Sequence, residues 1–128
     1  MSRFKVYLAA LASVAGPTLA DPATECGGAS QVEIGACVSD TLARVDASVE
    51  IMFGFAKGAA QELDEVTGRA SALPALEAGQ TAWTAYRDSH CDYVGAMFGG
   101  GSGTGIGIES CRIELGRERE RELRRYVQ

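Results

Sequence analysis

The apolar positions of this chain recur at helical spacing in three stretches separated by glycine and proline. Ser30-Gln31-Val32-Glu33 matches a capping box, in which a serine oxygen and a glutamate carboxylate satisfy free amides at a helix start. From there Val38, Leu42, Val45, Val49, Met52, Phe53, Ala56, Ala60 and Leu63 follow three or four apart, which predicts a first helix ending near Gly68. Gly54 and Gly58 weaken its middle by about 1 kcal/mol each relative to alanine and are expected to mark a bend or a close helix crossing. Pro74 suits the first turn of a second helix. Leu76, Gln80, Trp83, Arg87, Cys91 (or His90) and Val94 line one of its faces, and it is expected to fade near Phe98. Ile113 to Gln128 forms the last segment, with Arg119 four residues from both Leu115 and Leu123. Its charges offer opposite-sign helical pairs such as Glu120 with Arg124 and Glu122 with Arg125. No repeat and no persuasive strand appears. The fold class is all-α: a small bundle or hairpin of two to three main helices with a glycine-rich loop.

Residues 1–20 change this picture by reading as a secretory leader. Arg3 and Lys5 supply a positive start, Val6 to Ala12 a short apolar run, and Thr18-Leu19-Ala20 a small-residue end where a peptidase could cut. The apolar run is far short of the roughly 20 residues a membrane span needs. A mature domain of 21–128 follows, in one piece. Removing Arg3 and Lys5 leaves ten basic residues against seventeen acidic ones, a net charge of about −7. Such a balance argues against nucleic acid and anionic membrane surfaces, which attract basic patches. It favours encounter with a basic protein.

The four cysteines, Cys26, Cys37, Cys91 and Cys111, form an even set in a chain expected to be exported, so disulfides are the default. Three pairings are open. The local one, Cys26–Cys37 with Cys91–Cys111, is preferred, each bridge contributing about 2–4 kcal/mol through the unfolded state. A zinc site fails on spacing, since no C-x-x-C occurs and His90 is the single histidine. No metal or cofactor is expected.

Polar residues on the apolar stripes mark the candidate site. Gln80 and Arg87 share a face with Trp83, and Arg119 sits between two leucines of the last segment. A covered arginine needs a carboxylate, and Asp46, Asp88 and Glu122 are the candidates. These seven residues are expected to form a structural polar network, with lining of a ligand pocket as the alternative. The run Gly99-Gly100-Gly101-Ser102-Gly103-Thr104-Gly105-Ile106-Gly107 lacks the Lys-Ser/Thr of a phosphate-binding loop, and no G-x-G-x-x-G register fits it. It reads as a flexible connection, pinned at its base if Cys91 and Cys111 are bonded. Gly99, Gly100, Gly101, Ser102, Gly103, Thr104 and Gly105 are then candidates for a binding loop. No nucleophile–base arrangement surrounds His90, and no catalytic residue is assigned.

Gln80-Thr81-Ala82-Trp83-Thr84-Ala85-Tyr86-Arg87-Asp88-Ser89-His90-Cys91 resembles the signature of the LprI-like lysozyme-inhibitor domain, in which a glutamine, a tryptophan three positions on, Tyr-Arg-Asp and a cysteine follow one another. In that family a glycine-rich stretch, a second cysteine and an Arg-x-x-Glu-Leu helix come next, matched here by Gly99–Gly107, Cys111 and Arg119 to Leu123. Cys26, Cys37 and Asp46 match its amino-terminal pattern. The chain departs from the family in carrying Val49-Glu50 and Phe53 where a Leu-Asn and an aromatic are usual. The resemblance implies an exported helical domain and, for at least some members, inhibition of lysozyme. The expectation is therefore an exported binding protein, periplasmic or secreted, not an enzyme, whose partner is a basic protein such as lysozyme. The alternative is a structural or small-ligand-binding envelope module without inhibitory activity.

Overall fold

A computed structural model describes residues 21–127, and the leader expected over 1–20 lies outside the described residues. Among the described residues there is no strand, and four helices follow in order: α1 (Pro22–Cys26), α2 (Gln31–Thr67), α3 (Ala72–Ala96) and α4 (Thr104–Arg124). None of them is long and apolar enough to cross a membrane. The architecture is thus three long helices and one short one.

Each boundary has a local cause. Asp21 accepts hydrogen bonds from the Ala23 and Thr24 amides, and Pro22 follows it in the first turn of α1. At α2 the Ser30 hydroxyl accepts the Glu33 amide at 3.2 Å, while the Glu33 carboxylate reaches the Ala29 amide at 2.8 Å. Gly68, left-handed at φ 67°, ends α2, where any side chain would be strained. Ser71 precedes α3 without capping it. Asp64, near the end of α2, does so instead: its carboxylate accepts the amides of Ser71, Ala72 and Leu73 at 3.1, 2.8 and 3.0 Å. The α2–α3 turn is thereby tied to the helix before it, and these amides, Ala72 first, hold the Asp64 carboxyl below its ordinary range.

The helices meet along a buried centre of Val49, Ala56 and Leu123, ringed by Val45, Met52, Phe53, Leu76, Trp83 and Val127. Val38, Ile113 and the bonded Cys91 and Cys111 are buried as well. Burying each aliphatic side chain stabilises the fold by about 1.5–3 kcal/mol. The disulfides are Cys26–Cys37, which fastens α1 to α2, and Cys91–Cys111, which joins α3 to α4.

Two sequence expectations are corrected by packing. Nothing approaches within 4 Å of a side chain built at Gly54 or Gly58; both face outward, and α2 runs through them. The close crossings fall at Gly95, where an added Cβ would lie 2.5 Å from Ile108, and at Gly116, where it would lie 2.5 Å from Val45. The last helix also starts well before Ile113. Thr104 to Gly107 are poor helix formers, but Ile106 packs on Gly35 and Ile108 on Gly95, and burial outweighs propensity.

Candidate functional site

The network residues converge where α2, α3 and α4 cross. Arg87 of α3 donates from Nη1 to Asp46 Oδ1 of α2 at 2.7 Å, and its Nε lies 3.8 Å from Asp88. Arg119 of α4 donates from Nε to Gln80 Oε1 at 2.9 Å and from Nη1 to Glu122 at 2.6 Å. Trp83 lies between the two arginines, with guanidinium carbons 4.9 Å (Arg87) and 5.8 Å (Arg119) from its ring centroid. Both cations therefore face one indole, an attraction worth about 0.5–1 kcal/mol at exposed sites and more when covered. Asp88 continues the chain of charges to Arg112 at 3.6 Å, which also meets Asp92 at 3.7 Å. All seven residues thus belong to one set of contacts joining three helices. Glu122 is held by Arg119 rather than by Arg125 as the spacing had suggested, whereas Glu120 does pair with Arg124. Gln80 touches a shallow depression beside Phe53.

The glycine-rich segment divides. Gly99 to Gly103 make the connection, with Gly99 and Gly100 at positive φ (64° and 81°), while Thr104 and Gly105 already belong to α4. Phe98 folds back across this turn: a Cβ at Gly107 would meet its ring at 2.4 Å and one at Gly103 at 3.6 Å. The connection is therefore a short turn laid beside Phe98.

Two surface features escaped sequence reasoning. The first is a rung-like row on α3, in which Tyr86 stacks on His90 at 5.4 Å, Tyr93 follows at 6.3 Å, and Met97 lies one turn further. Tyr93 is 60 % exposed and Met97 70 %. The spacing 86–90–93–97 was visible, but a face is known to be outward only once the opposite face is seen buried. The second is a cleft of about 520 Å³ beside this row, between α1, the start of α2, α3 and α4. Its apolar wall includes Ile34, Val94, Phe98, Ile106 and Leu115; its polar members include Asp21, His90, Ser110 and Glu114. At the α1 end, Arg117 of α4 grips Glu25 through two hydrogen bonds of 2.9 and 2.7 Å, which holds the Glu25 carboxyl below its ordinary range. Partial burial, with the nearby Asp21 and Glu118 carboxylates, pushes Glu114 the other way. Among the described residues no group of three or more histidine, cysteine or acidic side chains is arranged to hold a metal.

No solved structure matches the chain. A protein of Rhizobium meliloti (strain 1021), described as uncharacterized, is 31 % identical to it over 113 residues, covering 84 % of this chain and 81 % of that one. The family model described as lysozyme inhibitor LprI matches residues 23–123, a span that includes all four helices' cysteines and charge contacts from Glu25 to Glu122. With a helical architecture, two disulfides and the Gln80–Cys91 signature in one chain, the protein belongs to the LprI lysozyme-inhibitor family.

Proposed function

We propose that this chain is an exported inhibitor of lysozyme that works by stoichiometric protein–protein contact and catalyses nothing. The observation that carries the reading is the family match across 23–123, which spans nearly all the described structure. Charge supports it: at about −7, a mature chain of 21–128 is attracted to a strongly basic enzyme and speeds encounter with it. The two disulfides support release into an oxidising compartment, the periplasm or the outside, after removal of residues 1–20. In this reading the cluster of Asp46, Gln80, Trp83, Arg87, Asp88, Arg119 and Glu122 is scaffold. It fixes the docking of the three long helices so that the outer surface is presented in one shape, and a preorganised surface loses less entropy on binding.

The test is a titration of hen-type and bacterial lytic enzymes with the oxidised mature protein. Lytic activity is expected to fall in proportion to added protein and to level off near a one-to-one ratio. Unchanged lysis at micromolar excess over every enzyme tried would refute the inhibitor reading.

A further inference from the structure

The cleft beside the tyrosine–histidine row combines an apolar wall with a carboxylate that is in no ion pair among the described residues. One wall is aliphatic and aromatic, from Ile34, Val94, Phe98 and Leu115. Glu114 and Asp21 stand at its α1 end, and among the described residues no lysine or arginine lines it. Asp21 is occupied: its carboxylate accepts the Ala23 and Thr24 amides and the Thr24 hydroxyl at 3.1, 3.3 and 2.7 Å. Arg117, the cation nearest this end, is held by both oxygens of Glu25. Glu114 is therefore the carboxylate left available to a visitor, in a neighbourhood where Asp21, Glu118 and Glu25 already raise the cost of its charge.

Ser110 lines the same cleft, but it is only 7 % exposed and its hydroxyl oxygen is closed to solvent, so it offers a visitor no polar contact. Beside Gln31 and His90, an apolar wall with one unpaired carboxylate, Glu114, at its end has the composition that a long basic side chain fits. The methylene stem lies against Val94, Phe98 and Leu115, and the charged head donates to Glu114.

We infer that this cleft is where the protein receives a lysine or arginine side chain from a basic protein partner, with Tyr86, Tyr93 and Met97 forming the flanking contact surface. The partner class follows from charge complementarity, both local and over the whole mature chain. Exposed tyrosines and methionine beside a pocket are the residue types that carry binding energy at protein interfaces. The identification of that partner as a lysozyme rests on the function proposed above; the cleft's preference for a basic side chain does not.

Two arms of one NMR experiment separate these claims. In the first, the ¹⁵N-labelled oxidised protein is titrated with Nα-acetyl-lysine amide and, as the uncharged match, Nα-acetyl-norleucine amide. Saturable shifts at Val94, Ser110 and Glu114 are expected with the lysine probe alone, weakened roughly fivefold in Glu114→Gln. Absent shifts, or equal shifts with norleucine, overturn the inference. In the second arm lysozyme is the titrant. Shifts at the cleft and at Tyr86 and Tyr93, with affinity lowered about tenfold in Glu114→Gln and in Tyr93→Ala, support both claims. Lysozyme bound with the cleft amides unmoved overturns the docking surface and leaves inhibition standing. Lysozyme unbound while the lysine probe binds removes inhibition and leaves the cleft as a site for a basic side chain. Glu114 and Tyr93 are exposed, and a circular dichroism spectrum matching the parent establishes that each variant is folded.

Discussion

Gly116 offers the sharpest test of how the bundle is held together, because two physical effects predict opposite outcomes for Gly116→Ala. Glycine inside a helix is about 1 kcal/mol less favourable than alanine, so propensity alone predicts a more stable protein. Packing predicts the reverse. The residue is buried where α4 lies on α2, and the added Cβ would stand 2.5 Å from Val45 Cγ1, with Val49 Cγ2 at 3.9 Å. Val45 is branched at Cβ and on a helix, where one rotamer dominates, so its methyl cannot readily swing away. The helices must separate by up to an ångström or so, and overpacking of this kind costs about 1–3 kcal/mol. Contacts around Val49 and Leu123 loosen with any separation of the pair. Overpacking wins, with a net loss of about 1 kcal/mol and a fall in Tm of roughly 4–8 °C for a domain of this size. Calorimetry and urea unfolding measure it directly. The compensating change is Val45→Ala, which removes the offending methyl and by itself costs about 1–2 kcal/mol of burial. In the double variant the alanine at 116 enters vacated space, so the two losses should not add; a coupling of about 1 kcal/mol is expected. A higher Tm for Gly116→Ala, or strict additivity with Val45→Ala, would refute the claim that this crossing requires glycine.

The polar cluster yields a cycle of its own. Asp46→Ala leaves Arg87 with only the 3.8 Å approach of Asp88 and should cost about 1–2 kcal/mol, discounted for the partial exposure of Asp46, whereas Asp46→Ala with Arg87→Leu should cost less than the sum; denaturant midpoints decide. Replacing Cys91 and Cys111 by alanine opens a bridge spanning 20 positions and should lower stability by about 2–4 kcal/mol, read from the thermal midpoint of oxidised against variant protein. Acid should destabilise the fold through Glu25 and Asp64. Both carboxyls are held below their ordinary values of 4.5 and 3.8, so their contribution is present above those values and is lost as pH falls through the lowered ones. Arg117→Met should flatten the Glu25 part of that loss in urea midpoints measured from pH 6 to pH 2. Glu114 runs the other way: raised above 4.5, its contribution is present below that value and is lost as pH rises, so Glu114→Gln should be the more stable protein at pH 7 and show no advantage near pH 3.

What could be read from the sequence was what local chemistry decides. The Ser30–Glu33 box and Gly68 bound α2 because a cap needs only residues three or four apart and a left-handed residue only itself. The meeting of Asp46 with Arg87 could be anticipated because an arginine on a buried stripe has few ways to be satisfied. The start of α4 could not, since Thr104 to Gly107 are poor helix formers and the contacts that hold them, with Gly35 and Gly95, come from helices distant in sequence. Asp64 looks like any acid near a helix end, and its role as the cap of the following helix depends on how the turn folds back. The same holds for Glu25 and Arg117, which lie 92 positions apart. The cleft draws its lining from all four helices, so no window of sequence contains it.

The distribution of ion pairs explains how a fold rich in arginine keeps a strongly negative outside. Of the ten basic residues between 21 and 127, six lie within 4 Å of a carboxylate among the described residues: Lys57, Arg87, Arg112, Arg117, Arg119 and Arg124. Most of these pairs join one helix to another, the others lying within α3 or α4, so positive charge is used largely where the elements dock. The individual pairs contribute little where solvent reaches them, but collectively they set which carboxylates remain to act on a partner. Glu114 is the case that matters. Arg117, one position from Glu118 and three from Glu114 on α4, is drawn to Glu25 to fasten α1, and Glu114 is left to border an apolar cleft. The contact that secures the amino-terminal helix is therefore also one that keeps Arg117 on a carboxylate other than Glu114.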